Sequence, residues 1–178
     1  MKMKNIFIIN GKGGCGKDTL VNCVTEHFPG LVLNKSAISP IKEMARLIGW
    51  NEDKSLKGRK FLADLRELVS DYNDGTTRYL VNETSLFLAD NIHSILFIHI
   101  REPEMIERYV TSLRLTPNAH ITSILVKRNT GIDVYGNSAD DNVENYNYDV
   151  VFSIDDIDKQ TAGNEFVRFI EEKVKGDA

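Results

Sequence analysis

The sequence predicts an α/β protein built on a doubly wound, five-stranded parallel sheet. Three observations carry this expectation. Short apolar runs alternate with segments of helical periodicity, the pattern of strands joined by crossover helices. The first run feeds a glycine-rich loop, "NGKGGCGKDT", which opens into an amphipathic segment. No linker interrupts the 178 residues, so residues 1–178 are expected to form a single domain.

The elements follow in order. "IFII" (residues 6–9) is a continuous β-branched run, the mark of a strand buried on both faces. After the loop, Leu20, Val21, Val24 and Phe28 recur at helical spacing. "GLVL" (residues 30–33) reads as the second strand, after the turn at Pro29. Pro40 opens a helix through "IKEMARLIGW", in the first-turn position that proline favours. Residues 59–72 are amphipathic, with Phe61, Leu62, Leu65, Leu68 and Val69 on one face. Asp74 and Gly75 make a turn, and residues 77–90 another helix. "SILFIHI" (residues 94–100) is the third strand, residues 103–113 a helix, and "ITSILV" (residues 121–126) the fourth strand. Residues 127–146 are polar and are expected to form a lid. "VVFSI" (residues 150–154) is the fifth strand, and residues 164–174 close the chain as a helix.

Composition narrows the function. With 42% apolar and 27% charged residues the chain is ordinary for a globular protein, and its net charge of −4 argues against a nucleic-acid partner. Two cysteines, Cys15 and Cys23, cannot staple a domain of this size, which points to the cytoplasm. Cys15 is expected to be a small loop residue, Cys23 a core one. The apolar run after "MKMKN" is too short for a secretion signal, and no stretch is long enough to span a bilayer, so no membrane partner is expected.

The loop carries the chemistry. Gly11 to Thr19 contain G-x-x-x-x-G-K between a strand and a helix, the setting of a phosphate-binding loop. The backbone N–H groups of Gly13, Gly14, Cys15 and Gly16 can curl around an anion at the positive end of the helix. Lys17 supplies a point charge for the β- and γ-phosphates of ATP. Asp18 stands where Ser or Thr is usual; as an oxygen donor it is a candidate Mg²⁺ ligand, with the Thr19 hydroxyl one residue on. Read instead as K-G-G-x-G-K, the loop resembles that of partitioning ATPases, in which the early lysine reaches a nucleotide across a dimer. Their acidic D-x-x-P pattern on the next strand is missing from "LVLNKSAISP". Lys12 is therefore expected to be a loop residue in reach of phosphate.

"GKDT" after an apolar strand resembles P-loop small-molecule kinases of the deoxynucleoside monophosphate kinase and animal-type phosphomevalonate kinase group. "SAISPIKEMARLIGW", "LFIHIREPEMIERYV" and "NSADDNVENYNYDVVFSID" are similar to that group's later segments, in the same order and over nearly the whole chain. The resemblance implies a P-loop kinase architecture with a lid, ATP with Mg²⁺, and transfer of a phosphoryl group to a small phosphorylated acceptor such as a (deoxy)nucleoside monophosphate. It implies a monomer or homodimer whose partners are these two substrates. A regulatory nucleotide-binding protein or a partitioning-type ATPase is the alternative.

An acceptor that carries phosphate needs its own cations. Lys42 and Arg46 lie one helical turn apart. Arg101 follows the third strand at the carboxyl edge of the sheet, where ligands of such folds bind; the resemblance makes it an acceptor contact and, with Lys17 and Arg128, part of the transfer machinery. Arg128 opens the lid and is placed to reach the transferring group. Arg66 and Arg59 are further candidates for phosphate contact, and Asp140, Asp141 and Glu144 for orienting metal or arginine. One departure stands out: the resembling kinases carry Asp two residues before that arginine, and this chain carries His99, a poor partner for a hard cation.

Overall fold

The computed structural model describes residues 3–53, 55–114, 119–129 and 142–176. Five strands, β1 (Lys4–Asn10), β2 (Val32–Ser36), β3 (Ile95–His99), β4 (Ala119–Lys127) and β5 (Val150–Ser153), form one parallel sheet in the order β2-β3-β1-β4-β5. The helices are α1 (Lys17–His27), α2 (Ser39–Leu47), α3 (Leu56–Asn73), α4 (Gly75–Ala89), α5 (Pro103–Leu113) and α6 (Lys159–Gly176). This is the expected doubly wound α/β fold. Among the described residues, no helix is long and apolar enough to cross a membrane.

The alternation of β1 explains its unbroken apolar run. Phe7 and Ile9 point to one face, where they join Leu20, Val21 and Val24 of α1 and Phe166 and Ile170 of α6. Ile6 and Ile8 point to the other, against Leu80 and Phe87 of α4 and Met105, Ile106 and Tyr109 of α5. Both faces are covered, as a parallel sheet requires. Phe97, fully buried and stacked on Phe7 at 5.3 Å between ring centres, is a keystone of the first core; truncating such a side chain to alanine costs about 3–5 kcal/mol.

Several boundaries move from their sequence expectation. The second strand begins at Val32, not Gly30, because Gly30 turns the chain at φ +73° and Leu31 N–H closes on Phe28 O at 3.1 Å. It runs on through Asn34, Lys35 and Ser36 because an edge strand needs no unbroken apolar pattern. The last helix starts at Lys159, five residues early, because Asp158 Oδ1 accepts the N–H groups of Gln160 and Thr161. Gly163 inside it lies against Cys23, whose Sγ would be 2.7 Å from a Cβ there, so α1 and α6 meet closely. Cys23 is half-buried at that contact rather than fully in the core. The expected apolar face of α3 is half-buried, with Leu68 67% exposed; only Gly58 of this helix is fully buried. Of the expected lid, the two roots are described, Lys127–Asn129 and a 3₁₀ turn at Val143–Asn145; Asp140 and Asp141 lie outside the described residues.

Candidate active site

The strand order decides where a site can form. The chain leaves β1 for β2, returns between them as β3, and then crosses to β4 on the far side of β1. The crevice of such a sheet opens at the carboxyl ends of β1 and β3, where the order reverses. In register there, Ile9 faces His99 and His99 faces Ser36.

The loop after β1 is built around its glycines. Gly11 has φ +148°, and a Cβ on it would lie 2.4 Å from Val126 O and 2.8 Å from Cys15 Sγ, so no side chain fits. Gly16, at φ +101°, turns the chain into α1. Cys15 N–H donates to Lys12 O at 3.2 Å and closes the loop, while its side chain is fully buried beneath it. Lys17, only 9% exposed, folds back across the loop: its ammonium donates to Gly11 O and, at 3.0 Å, to Lys12 O, with Cys15 Sγ 3.5 Å away. A cation is thus held over the loop's own curl of amides.

Asp18 and Thr19 lie beside it in the first turn of α1, and the Asp18 side chain is 90% exposed. Across from it His99 Nδ1 is 3.8 Å from Asp18 Oδ1. Burial pushes the His99 imidazole down to about 4; Asp18 opposes this, and the charges of Lys17 and Arg101 add to it. His99 is therefore neutral at neutral pH, and its Nε2 is buried without a hydrogen-bond partner among the described residues. No group of three metal-ligating side chains occurs among the described residues. Mg²⁺ does not need one: it takes one or two carboxylates and completes its shell with phosphate oxygens and water. The open Asp18 carboxylate and Thr19 hydroxyl fit that donor set.

Arg101 lies two residues beyond His99, the end of β3, exposed at the crevice. Arg66 of α3 reaches the same place, where it forms an ion pair with Glu102. Burial lowers the Arg66 pKa from its ordinary value, Glu67 opposes this, and the nearby Arg101 guanidinium lowers it further. Two guanidinium groups thus share this corner, one of them fixed by a carboxylate. Lys42 is half-buried in the first turn of α2. Arg46, one turn on, pairs instead with Glu52 beyond the helix at 2.7 Å, both exposed. Arg59 is exposed on α3.

Arg128, just after β4, lines two clefts. One, of about 210 Å³, is lined with charge from Lys12, Lys127, Glu144 and Asp155. The other, of about 140 Å³, runs from Gly14, Gly16 and Thr19 to Ile154, Ile157, Lys159 and Ala162. This slot beside the loop, part apolar and part polar, is marked by no motif. Its one sequence signal is "SIDDID", where Asp156 takes φ +58° and separates Ile154 from Ile157.

Asn10 was missed as well. It is fully buried at the end of β1. Its Oδ1 accepts Gly11 N–H at 2.8 Å, and its Nδ2 donates to Arg101 O at 2.9 Å and to Tyr148 Oη at 2.6 Å. A lone amide closing the run "IFIIN" was the only hint.

No family model matches the chain, and no curated protein does. Solved structures do. A candidate kinase from Chloroflexus aurantiacus J-10-fl superposes with a TM-score of 0.62 at 13% identity over 100% of both chains. A gluconokinase from Sinorhizobium meliloti 1021 gives 0.53 at 9% identity, over 99% of this chain and 97% of the other. The APS kinase of Mycobacterium tuberculosis, in complex with AMPPNP and APS, gives 0.53 at 13% identity, over 96% and 99%. The chain therefore has the fold of these kinases.

Proposed function

We propose that the chain is an ATP-dependent phosphotransferase that carries the γ-phosphoryl of ATP to a small phosphorylated acceptor, with a (deoxy)nucleoside monophosphate as the acceptor class. The observation that carries this reading is the placement of two groups of cationic side chains at the carboxyl ends of neighbouring strands. The loop with Lys17 lies after β1, and the Arg101–Arg66 corner lies after the adjacent strand β3.

In the transfer, an oxygen of the acceptor phosphate attacks the γ-phosphorus as the bond to the bridging β–γ oxygen breaks, and ADP leaves with the electron pair. The reaction needs positioning and charge neutralisation more than covalent help. The loop amides and Lys17 hold the donor phosphates, Arg101 and Arg66 orient the acceptor phosphate with Lys42 nearby, and Arg128 approaches from the lid root. Asp18 and Thr19 would hold Mg²⁺, which neutralises phosphate charge when bound. The slot at Ile154 and Ile157 suits the flat face of the donor base. His99 supports an ionised acceptor over an alcohol. A phosphate monoester is already anionic at neutral pH, whereas a hydroxyl needs a base, and an imidazole held at about 4 is a weak one. The active unit in this reading is a cytoplasmic monomer or homodimer.

A second reading, nucleotide binding without turnover, is favoured by one observation: a neutral His99 faces Asp18 where the resembling kinases carry a second acid. Coupled ADP release with ATP and Mg²⁺, measured against all ribo- and deoxynucleoside monophosphates, phosphomevalonate and a blank, separates the two. Acceptor-dependent ADP supports the kinase. A silent panel beside ATP-induced thermal stabilisation supports the binding protein, and ADP release without acceptor supports an ATPase.

A further inference from the structure

We propose that Tyr148 is a positioning residue, which through Asn10 ties the second root of the lid to both the phosphate loop and the backbone of Arg101. The inference rests on the reading of the loop as a nucleotide site, and it adds a residue that no motif identifies.

The network is closed at every atom. Asn10 Nδ2 has two hydrogens, one for Arg101 O at 2.9 Å and one for Tyr148 Oη at 2.6 Å. Its Oδ1 takes Gly11 N–H at 2.8 Å. Tyr148 Oη donates its own hydrogen to Val143 O at 2.7 Å, in the 3₁₀ turn where the lid returns. Val143 is buried, Tyr148 is half-buried, and burial pushes its phenol up to about 12, so it stays protonated and keeps that donor. A fully satisfied polar network is stiff.

Its three ends are the three parts a transfer must bring into register. Gly11 begins the donor loop, Arg101 carries the acceptor corner, and Val143 opens the 3₁₀ turn that leads back to β5. They are distant in sequence; Gly11 and Arg101 meet at the Asn10 carboxamide, and Val143 joins them through Tyr148 Oη. A shift of Gly11 on binding phosphate is therefore passed to the 3₁₀ turn through three hydrogen bonds. The Tyr148 ring packs against the second core and lies edge-on to Tyr146 at 5.0 Å, so removing the hydroxyl leaves the packing in place.

The test is Tyr148→Phe, read by hydrogen–deuterium exchange with and without AMP-PNP and Mg²⁺. In the wild type, AMP-PNP is expected to slow exchange in the loop and also in peptides covering residues 99–102 and 142–149. In Tyr148→Phe the loop protection persists, while the gain at 142–149 falls by about fivefold, the weight of one net hydrogen bond. With the best acceptor of the panel, kcat/KM falls by about tenfold at unchanged AMP-PNP affinity, the mark of lost alignment. Identical exchange patterns in the two proteins, or no response outside the loop in the wild type, would overturn the proposal. So would an equal loss of nucleotide affinity, which would make Tyr148 a structural part of the loop. A wild type that binds AMP-PNP and shows the spreading protection, yet turns over no monophosphate, would sink the kinase reading and leave the coupling standing. Failure to bind AMP-PNP at all would overturn both.

Discussion

His99 turns Nδ1 toward Asp18 Oδ1 across 3.8 Å and keeps Nε2 buried and without a partner among the described residues. A neutral imidazole thus faces a carboxylate in the first turn after the phosphate loop.

This contact gives a pH dependence of known sign. The His99 pKa lies at about 4 in the folded chain against 6.5 for the free side chain. As pH falls, the unfolded chain takes up the proton first. Stability from this residue is full above about pH 6.5, declines between about 6.5 and 4, and is flat below; the whole loss is on the order of 3 kcal/mol. Urea unfolding of the wild type and of His99→Asn, at about pH 7 and about pH 4.5, isolates it from the carboxylates common to both. The wild type should lose more stability on acidification, and an equal drop would clear His99 as the source.

Lys17→Ala removes the cation held over the loop by Gly11 O and Lys12 O. Thermal stabilisation by ATP should vanish, and turnover should fall by about 100-fold or more, the scale of losing one preorganised electrostatic contact in a transfer site. Unchanged ADP production would remove the loop from the mechanism.

Arg101→Ala should split the two substrates. Loss of a charge-assisted hydrogen bond to phosphate is about 1.5–3 kcal/mol, or roughly 10- to 100-fold in acceptor kcat/KM. ATP affinity should stay within about twofold, because the donor loop keeps its Lys17 contacts. Equal loss on both sides would deny Arg101 an acceptor role.

Asp18→Ala tests the metal assignment without relying on rate alone. The Mg²⁺ concentration needed for half-maximal ATP binding, followed calorimetrically, should rise by about tenfold, the change expected for loss of one oxygen ligand. A superimposable titration would leave Asp18 as a favourable charge at the start of α1 and no more.

The sequence disclosed what is local. Gly11 to Thr19, the buried runs of β1 and β3, and α5 from Pro103 to Leu113 announce themselves through spacing and a strong first-turn proline. It concealed what only packing decides. Arg66 meets Glu102, thirty-six residues on, and Arg46 turns to Glu52 just beyond its own helix; no spacing in the sequence marks either pair. The Asn10 node joins three distant segments, and nothing in "IFIIN" says which carbonyl or hydroxyl its amide will find. The edge strand β2 was displaced because half-exposed residues carry a weaker pattern than buried ones.

Helix α3 buries only Gly58 completely, and α2 only Ile41 and Ala45, whereas α4 contributes Leu80 and Phe87 to the core. The segment that would meet the acceptor therefore adds less to the core than α4 does. Substitutions at the exposed positions of α2 and α3 can accumulate at small cost in stability, whereas Gly11 of the donor loop, where a Cβ would meet Val126 O at 2.4 Å, accepts none. Such a division leaves the choice of what receives the phosphoryl group free to drift, and makes these two helices the natural place to look for new specificities by selection.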